Sequence, residues 1–385
     1  MDLHKTTLEL CRALVRCPSV TPEDGGALGV LATALQQAGF STELLTFSQP
    51  GTADVQNLYA RLGAERPFFV FAGHTDVVPV GDPRSWRFDP FGAEISEGAL
   101  WGRGAADMKS GVAAFAAAAI AYAARREKKG SIGLLITGDE EGPAVNGTEK
   151  LLKWAYAKGE RFDHCLVGEP TSRDFLGDTI KIGRRGSLSG TLIAEGRQGH
   201  AAYPQNADNP IPKLIRMLRA LITQPLDKGT AQFQPSNLEI VSVDTGNLAF
   251  NVIPARTQAR FNVRFNDLWT LKQLQAELRE RLDQTGETFS LGFEPCNALA
   301  FLTRPGGFTE LISDVIEQKT GRRPSLSTSG GTSDARFIQV YCPVIEFGLC
   351  GGTAHMADEH VPISEIFGLA DIYAAILDGY FSRPV

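Results

Sequence analysis

The chain has no basic excess, no paired cysteines and no apolar run long enough to span a bilayer. Its 38 lysines and arginines are outnumbered by 44 aspartates and glutamates, leaving a formal charge of −6. That balance argues against nucleic acid or an anionic membrane surface as a partner. The six cysteines, Cys11, Cys17, Cys165, Cys296, Cys342 and Cys350, make no C-x-x-C pair and no dense framework. In a long chain this argues against a disulfide scaffold and predicts reduced thiols in a cytoplasmic protein. The longest apolar stretch, Val112 to Ala124, is Ala-rich and falls short of the roughly 20 residues a spanning helix needs. It reads as a buried helix, and no membrane association is expected. Met1-Asp2-Leu3-His4-Lys5 lacks the apolar core of a signal segment. Internal repeats and low-complexity tracts are also missing, which argues against solenoids and disordered arrays.

What is present is ordinary globular composition, 43% hydrophobic and 21% charged, in a chain of 385 residues. That length suggests two domains. Three short apolar runs stand out. Phe68 to Gly73 leads into His74-Thr75-Asp76, Ser131 to Gly138 into Asp139-Glu140-Glu141, and Cys165 to Gly168 into Glu169-Pro170. Such runs read as interior strands of a parallel sheet. Open α/β sheets place their sites beyond the carboxyl ends of these strands. The three ends therefore predict one shared site of metal-ligand character.

Helices are expected at 3–17, 27–39, 110–129 and 147–158, and strands near 42–47, 57–62, 67–73, 131–138 and 163–168. A long loop is expected at 79–104. This alternation predicts an α/β domain with a mixed, mostly parallel sheet and flanking helices. After Gly183 the order becomes β-α-β-β-α-β, that of a ferredoxin-like α+β unit. We read 1–183 and 295–385 as one catalytic domain, with 184–294 inserted into it.

Each motif has an ordinary alternative. His74 with Asp76 is H-x-D at a strand end, which puts a ligand and its orienting carboxylate on one side. It could equally be a loop histidine capped by a nearby acid. Asp107, before the Ala-rich helix, could cap that helix or bridge two cations. Of Glu140 and Glu141, one could bind metal while the other serves a water, or both could belong to a solvated acidic turn with Asp139. Glu169 after its strand has the same ambiguity. His355 lies in the Gly-rich loop Gly351-Gly352-Thr353-Ala354-His355, where most histidines are only surface residues. His200, in Gly199-His200-Ala201-Ala202-Tyr203-Pro204, could polarise a carbonyl or merely cap a turn. His4, His164 and His360 read as structural. The set is stronger than its members. Two histidines and three carboxylates make a two-metal shell, with Glu140 left over as a base. Two zinc ions would be balanced by Asp107, Glu141, Glu169 and a bridging hydroxide, and cobalt or manganese would also suit these donors.

The chain resembles the dinuclear zinc aminoacylase and carboxypeptidase family over essentially its whole length. The likeness rests on His74 to Pro79, Gly102 to Gly111, Thr137 to Gly142, Val167 to Thr171, Gly183-Arg184-Arg185-Gly186-Ser187, Gly199 to Pro204, Asn251 to Pro254 and Gly330 to Phe337. It implies amide hydrolysis, with Asp107 bridging two zincs, His74 and Glu169 on one, and Glu141 and His355 on the other. It implies catalytic roles for Asp76, Glu140 as general base, and His200. It also implies a homodimer formed by the inserted domain, in which His200 serves the neighbouring subunit, and a cis Asp107–Met108 peptide. Arg184, Tyr203, Asn251, Arg264, Thr332 and Ser333 would bind a small substrate with several carboxylates, arginine through its planar fork. The Gly183 to Ser187 and Gly330 to Phe337 motifs point to the branch that removes succinyl groups. An acetyl-removing deacylase, a dipeptidase and a non-catalytic binding protein on the same fold are the alternatives. Ala354 before His355, Phe250 before Asn251, and Gly351 depart from the family pattern.

Overall fold

The computed structural model describes residues 2–382, which divide into two compact units. The first comprises Met1–Ile182, Thr303–Ser327 and Ser333–Val385, and the second Gly183–Leu302 with Thr328–Thr332.

The first unit is built on an eight-stranded sheet. Its order is Ser41–Phe47, Val55–Leu62, Ser131–Thr137, Phe68–His74, His164–Val167, Val344–Glu346, Thr179–Lys181 and Ser325–Ser327. Phe68–His74 runs parallel to both of its neighbours, with His74 opposite Thr137 and Ala72 opposite Val167. Antiparallel pairs on the Ser41 side make the sheet mixed. The two central strands, Phe68–His74 and Ser131–Thr137, are buried at every position. This is why they read as continuous apolar runs without alternation. Helix Ser110–Ala123 is buried along almost its whole length, and Phe115 stacks on Phe71 with ring centroids 4.2 Å apart.

Two expectations need correction. The helix predicted to run to Lys129 stops at Ala123. The Tyr122 hydroxyl donates to Lys129 O at 3.0 Å and accepts from Lys129 N at 3.1 Å, which closes the chain into a turn. Arg125, Arg126, Lys128 and Lys129 therefore lie beyond the helical pole they were expected to complement. The loop expected at 79–104 contains a hairpin, Glu94–Ser96 with Ala99–Trp101, and the latter strand pairs with His360–Pro362. That pairing carries the chain just after His355 to the segment just before Asp107.

The second unit is a four-stranded antiparallel sheet in the order Asn237–Asp244, Arg256–Phe265, Gly186–Glu195, Phe289–Phe293. Helices Pro210–Thr223 and Leu271–Asp283 complete the β-α-β-β-α-β sequence. Gly186–Glu195 alternates buried and half-buried residues, the pattern of a sheet covered on one face. Leu188, Leu192, Leu214, Met217, Phe261, Val263, Leu274 and Leu278 pack into its core. The unit extends past residue 294 because Cys296 and Ala300 pack on this core and Phe301 pairs with Arg184.

Candidate metal centre

The carboxyl ends of Ser131–Thr137, Phe68–His74 and His164–Val167 lie side by side, so the residues just beyond them share one space. His74 is the last residue of its strand and is buried. Its Nδ1 donates to the main-chain oxygen of Asp76 at 2.9 Å. A carbonyl can only accept, so Nδ1 keeps its proton: the protonated ring donates from Nε2, and the neutral ring presents a lone pair there to a metal. That nitrogen lies 3.2 Å from Asp107 Oδ1 and 3.8 Å from Glu169 Oε1. On the other side, His355 Nε2 is 2.6 Å from Glu141 Oε1 and 3.4 Å from Asp107 Oδ2. The two oxygens of Asp107 thus face different histidines.

Two groups of three donors result, His74 with Asp107 and Glu169, and Asp107 with Glu141 and His355. Within each, the ligand atoms lie within 4.8 Å of one another. His74, Glu140 and Glu141 form a third such group. The Asp107–Met108 peptide is cis, and His355 adopts a positive φ of 63°. The latter is uncommon outside glycine and typical of constrained functional positions.

The electrostatics are those of a centre short of positive charge. Burial pushes the Glu169 carboxyl well above its usual range, with Asp107 and Glu140 adding repulsion. Burial likewise pushes Glu140 up to about 8, against the pull of His74, with Asp334, Glu141 and Asp107 adding to the rise. Burial also opposes ionisation of Asp107, but hydrogen bonds from His355 and His74 outweigh it and hold this carboxyl below its usual range. Hydrogen bonds to Asp107 and Glu141 raise His355 to about 10. The cationic groups that meet Asp107, Glu141 and Glu169 here are these two histidines when protonated. Oxygen and imidazole donors, converging with surplus negative charge and no thiolate, fit divalent cations.

Asp76 does something the sequence did not reveal. Its carboxylate accepts the backbone N–H of Glu140 at 3.3 Å and of Glu141 at 3.0 Å, and lies 3.6 Å from His74 Nδ1. The ring is held by the Asp76 main chain, and the side chain holds the Glu140–Glu141 turn. Burial pushes Asp76 up to about 6, against His74 and the two N–H groups. Asp139 is no member of a solvated acidic turn. It is buried and accepts from the backbone of Ala144, Val145 and Asn146 at 3.1, 2.8 and 2.7 Å. An Asp three residues before Gly142-Pro143 was the available signal for this loop-closing role.

Ser333 is buried and donates its hydroxyl to Glu346 at 2.6 Å. Next to it, buried Asp334 lies 3.8 Å from Arg336 and adds to the charge around Glu140. Neither Asp334 nor the buried pair Arg103–Glu359 was anticipated. The histidines read as structural are so engaged. His4 meets Asp371 at 3.0 Å, His164 meets the Tyr380 hydroxyl at 2.9 Å, and His360 stacks on Trp101.

In the second unit, His200 pairs with Val252, and Ala201 N donates to Asn251 O at 2.9 Å. The Tyr203 ring is 5.6 Å from that of His200, so His200, Tyr203 and Asn251 stand together. His200 Nδ1 accepts from Ala202 N at 3.0 Å. A backbone N–H can only donate, so the neutral ring carries its proton on Nε2. Arg184 donates to Gly331 O at 3.1 Å, beside Thr332. Arg264 sits between Ser187 and Asn237 in register, close enough to Arg185 to depress that guanidinium after burial has done so. Arg185 was not anticipated as a site residue.

A sequence profile of Peptidase family M20/M25/M40 matches residues 70–379, and the chain belongs to this family. A relative from Beijerinckia indica, named succinyl-diaminopimelate desuccinylase, is 60% identical over 382 residues, 98% of this chain and 100% of its own length. Among solved structures, an M20 family metallo-carboxypeptidase from Sulfolobus solfataricus superposes with a TM-score of 0.80 at 17% identity, covering 100% of both chains. A Bacillus subtilis protein described as a dinuclear metal binding peptidase of the M20 family gives 0.72 at 15% identity, covering 99% of both chains. These last two likenesses establish the shared fold.

Proposed function

We propose that this chain hydrolyses the amide of N-succinyl-LL-diaminopimelate to succinate and LL-diaminopimelate, a step toward lysine and cell-wall precursors. The observation that carries the chemistry is Asp107, shared between two donor groups of opposite sides. The substrate follows from the desuccinylase relative that matches from end to end.

His74, Asp107 and Glu169 would hold one zinc ion, and Asp107, Glu141 and His355 the other, with cobalt or manganese as substitutes. When bound, such ions polarise an amide carbonyl and make water acidic enough to attack it at neutral pH. Glu140 takes the proton of the attacking water and returns it to the leaving amine. Asp76 keeps Glu140 and Glu141 in place through their backbone N–H groups. His200 offers its Nε2–H to the carbonyl oxygen as negative charge develops there. Arg184, Arg264, Tyr203, Asn251, Thr332 and Ser333 bind the carboxylates of the substrate, the arginines by bidentate contact.

The enzyme is a homodimer through its inserted unit, and His200 acts in the partner subunit's site. Supporting this is strand Asn237–Asp244, an open sheet edge with Val241 and Val243 exposed. Natural proteins cover or blunt such edges. Free cysteines throughout support a cytoplasmic enzyme, and no helix among the described residues is long and apolar enough to cross a membrane.

The test is succinate release by purified, zinc-loaded protein from N-succinyl-LL-diaminopimelate, run beside N-acetylornithine and a dipeptide. Faster turnover of either comparator assigns the chain to a related deacylase or dipeptidase. No hydrolysis of any of them favours a binding protein on the same fold.

A further inference from the structure

We infer that Arg103 and Glu359 form a buried positioning bridge that fixes Asp107 and His355 relative to each other, so that one of two bound metal ions depends on it more than the other. The inference rests on the metal-centre reading above. Strand Ala99–Trp101 pairs with His360–Pro362, and Gly102 N donates to Glu359 O at 2.9 Å. The ladder thus sets Arg103 beside Glu359. Their side chains are 3% and 0% exposed, and Arg103 Nη1 meets Glu359 Oε2 at 2.8 Å.

Each member of the pair then reaches one end of the metal centre. Glu359 Oε1 accepts the backbone N–H of Ala106 at 2.8 Å and of Asp107 at 3.1 Å. Arg103 donates to the main-chain oxygens of Met356 at 3.1 Å, His355 at 3.4 Å and Pro79 at 3.3 Å. Its guanidinium also lies 5.0 Å from the Trp86 ring. An arginine suits this because its planar fork serves several acceptors at once. Burying two charges is a poor way to gain stability, since a well-packed apolar pair often does as well or better. Burying them where Glu359 Oε1 holds the backbone before Asp107 and Arg103 holds the main-chain oxygens of His355 and Met356 is a way to gain geometry.

The consequence is unequal. His74 is held by its strand and by Asp76 O, without help from the bridge. In the group His74, Asp107 and Glu169, only Asp107 leans on it. In the group Asp107, Glu141 and His355, two of three donors do, and His355 is the exposed member in a Gly-rich loop. Loss of the bridge should therefore weaken the ion of the second group selectively.

Arg103→Lys keeps the charge but not the fork, and Glu359→Gln keeps the shape but not the charge. Metal-stripped wild type and both variants are titrated with Co²⁺ by calorimetry, with the visible spectrum followed alongside and melting in chelator as a folding control. Wild type should take up two ions. In the variants one should bind with unchanged affinity and the other about 10–100-fold more weakly, the loss usual for outer-shell changes. Two ions bound at wild-type affinity, or both weakened equally, overturns the inference. So does failure of both variants to fold, which would assign the pair to the framework. Uptake of fewer than two ions by wild type is a different failure, that of the metal-centre reading itself.

Discussion

Replacing Asp76 separates two ways in which its carboxylate could serve the site. If it worked mainly on His74, its loss would free the imidazole. The ring, however, donates to the Asp76 main chain, a bond that survives any substitution at this position. What the side chain alone supplies is an acceptor for the N–H groups of Glu140 and Glu141. Leaving a buried donor unpaired costs about 1–3 kcal/mol, so Asp76→Ala should destabilise the metal-free protein by about 2–6 kcal/mol. Asp76→Asn keeps one acceptor oxygen and should cost about 1–3 kcal/mol. Urea unfolding of the three metal-free proteins measures this directly. In the loaded enzyme, a loosened Glu140–Glu141 turn displaces the base, and a shift of the order of 1 Å lowers turnover about 10²-fold. Metal affinity on the His74 side should hold. The reasoning is refuted if Asp76→Ala is within about 0.5 kcal/mol of wild type, the range of an ordinary surface change. It is refuted equally if turnover holds while the His74-side ion is lost.

Glu140→Ala should retain both metals and substrate binding but lose about 10²–10⁴-fold in turnover, and near-normal turnover removes Glu140 from the mechanism. Mixing inactive His200→Ala and Glu140→Ala proteins should restore activity once subunits exchange, because one site of each heterodimer then receives both intact residues; no recovery after exchange is verified by mass spectrometry would show that His200 does not act across subunits. In the inserted unit, Asp227 accepts from Gly229 N, Asn266 Nδ2 and Trp269 Nε1 at 2.7, 2.7 and 2.8 Å. Burial opposes its ionisation, yet these partners and Ser236 hold its carboxyl below the usual range. A depressed carboxyl adds stability that is present above the unfolded value, about 3.9, and disappears as pH falls through the lower folded value. Asp227→Asn should therefore lower the melting temperature at pH 7, with the gap shrinking below about pH 4. A gap unchanged at acid pH would contradict this.

The convergence of much of the candidate site was legible because metal chemistry needs rare side chains at places the hydrophobic pattern already marks. The runs before His74, Glu140 and Glu169 are apolar because their strands are buried on both faces, and their ends are polar because the sheet stops there. The change of pattern after Gly183 was visible too, since the partial period-two alternation of Arg256 to Arg264 differs from the unbroken apolar runs of strands buried on both faces. The helix expected to reach Lys129 was misjudged for a local reason. Basic residues after an apolar helix look like complements to its pole, and nothing in the spacing announces that the Tyr122 hydroxyl will close a turn seven residues on.

Harder to see were the residues whose partners are backbone. The observed contacts of Asp76, Asp139 and Glu359 include backbone N–H groups, which nearly every residue carries and no motif displays. A carboxylate bound to a metal must sit among other ligands of recognisable type. A carboxylate bound to two peptide N–H groups can follow almost any local sequence, and only the fold reveals which amides converge on it. Glu359 makes the point most sharply, because its sequence neighbours Asp358 and His360 suggest a polar surface turn. The ladder to Trp101 puts it in the interior instead, where its charge is tolerable only because Arg103 and two amides meet it. Those same contacts reach the backbone at Asp107 and His355, so the geometry of the centre is set by residues that would never touch a metal.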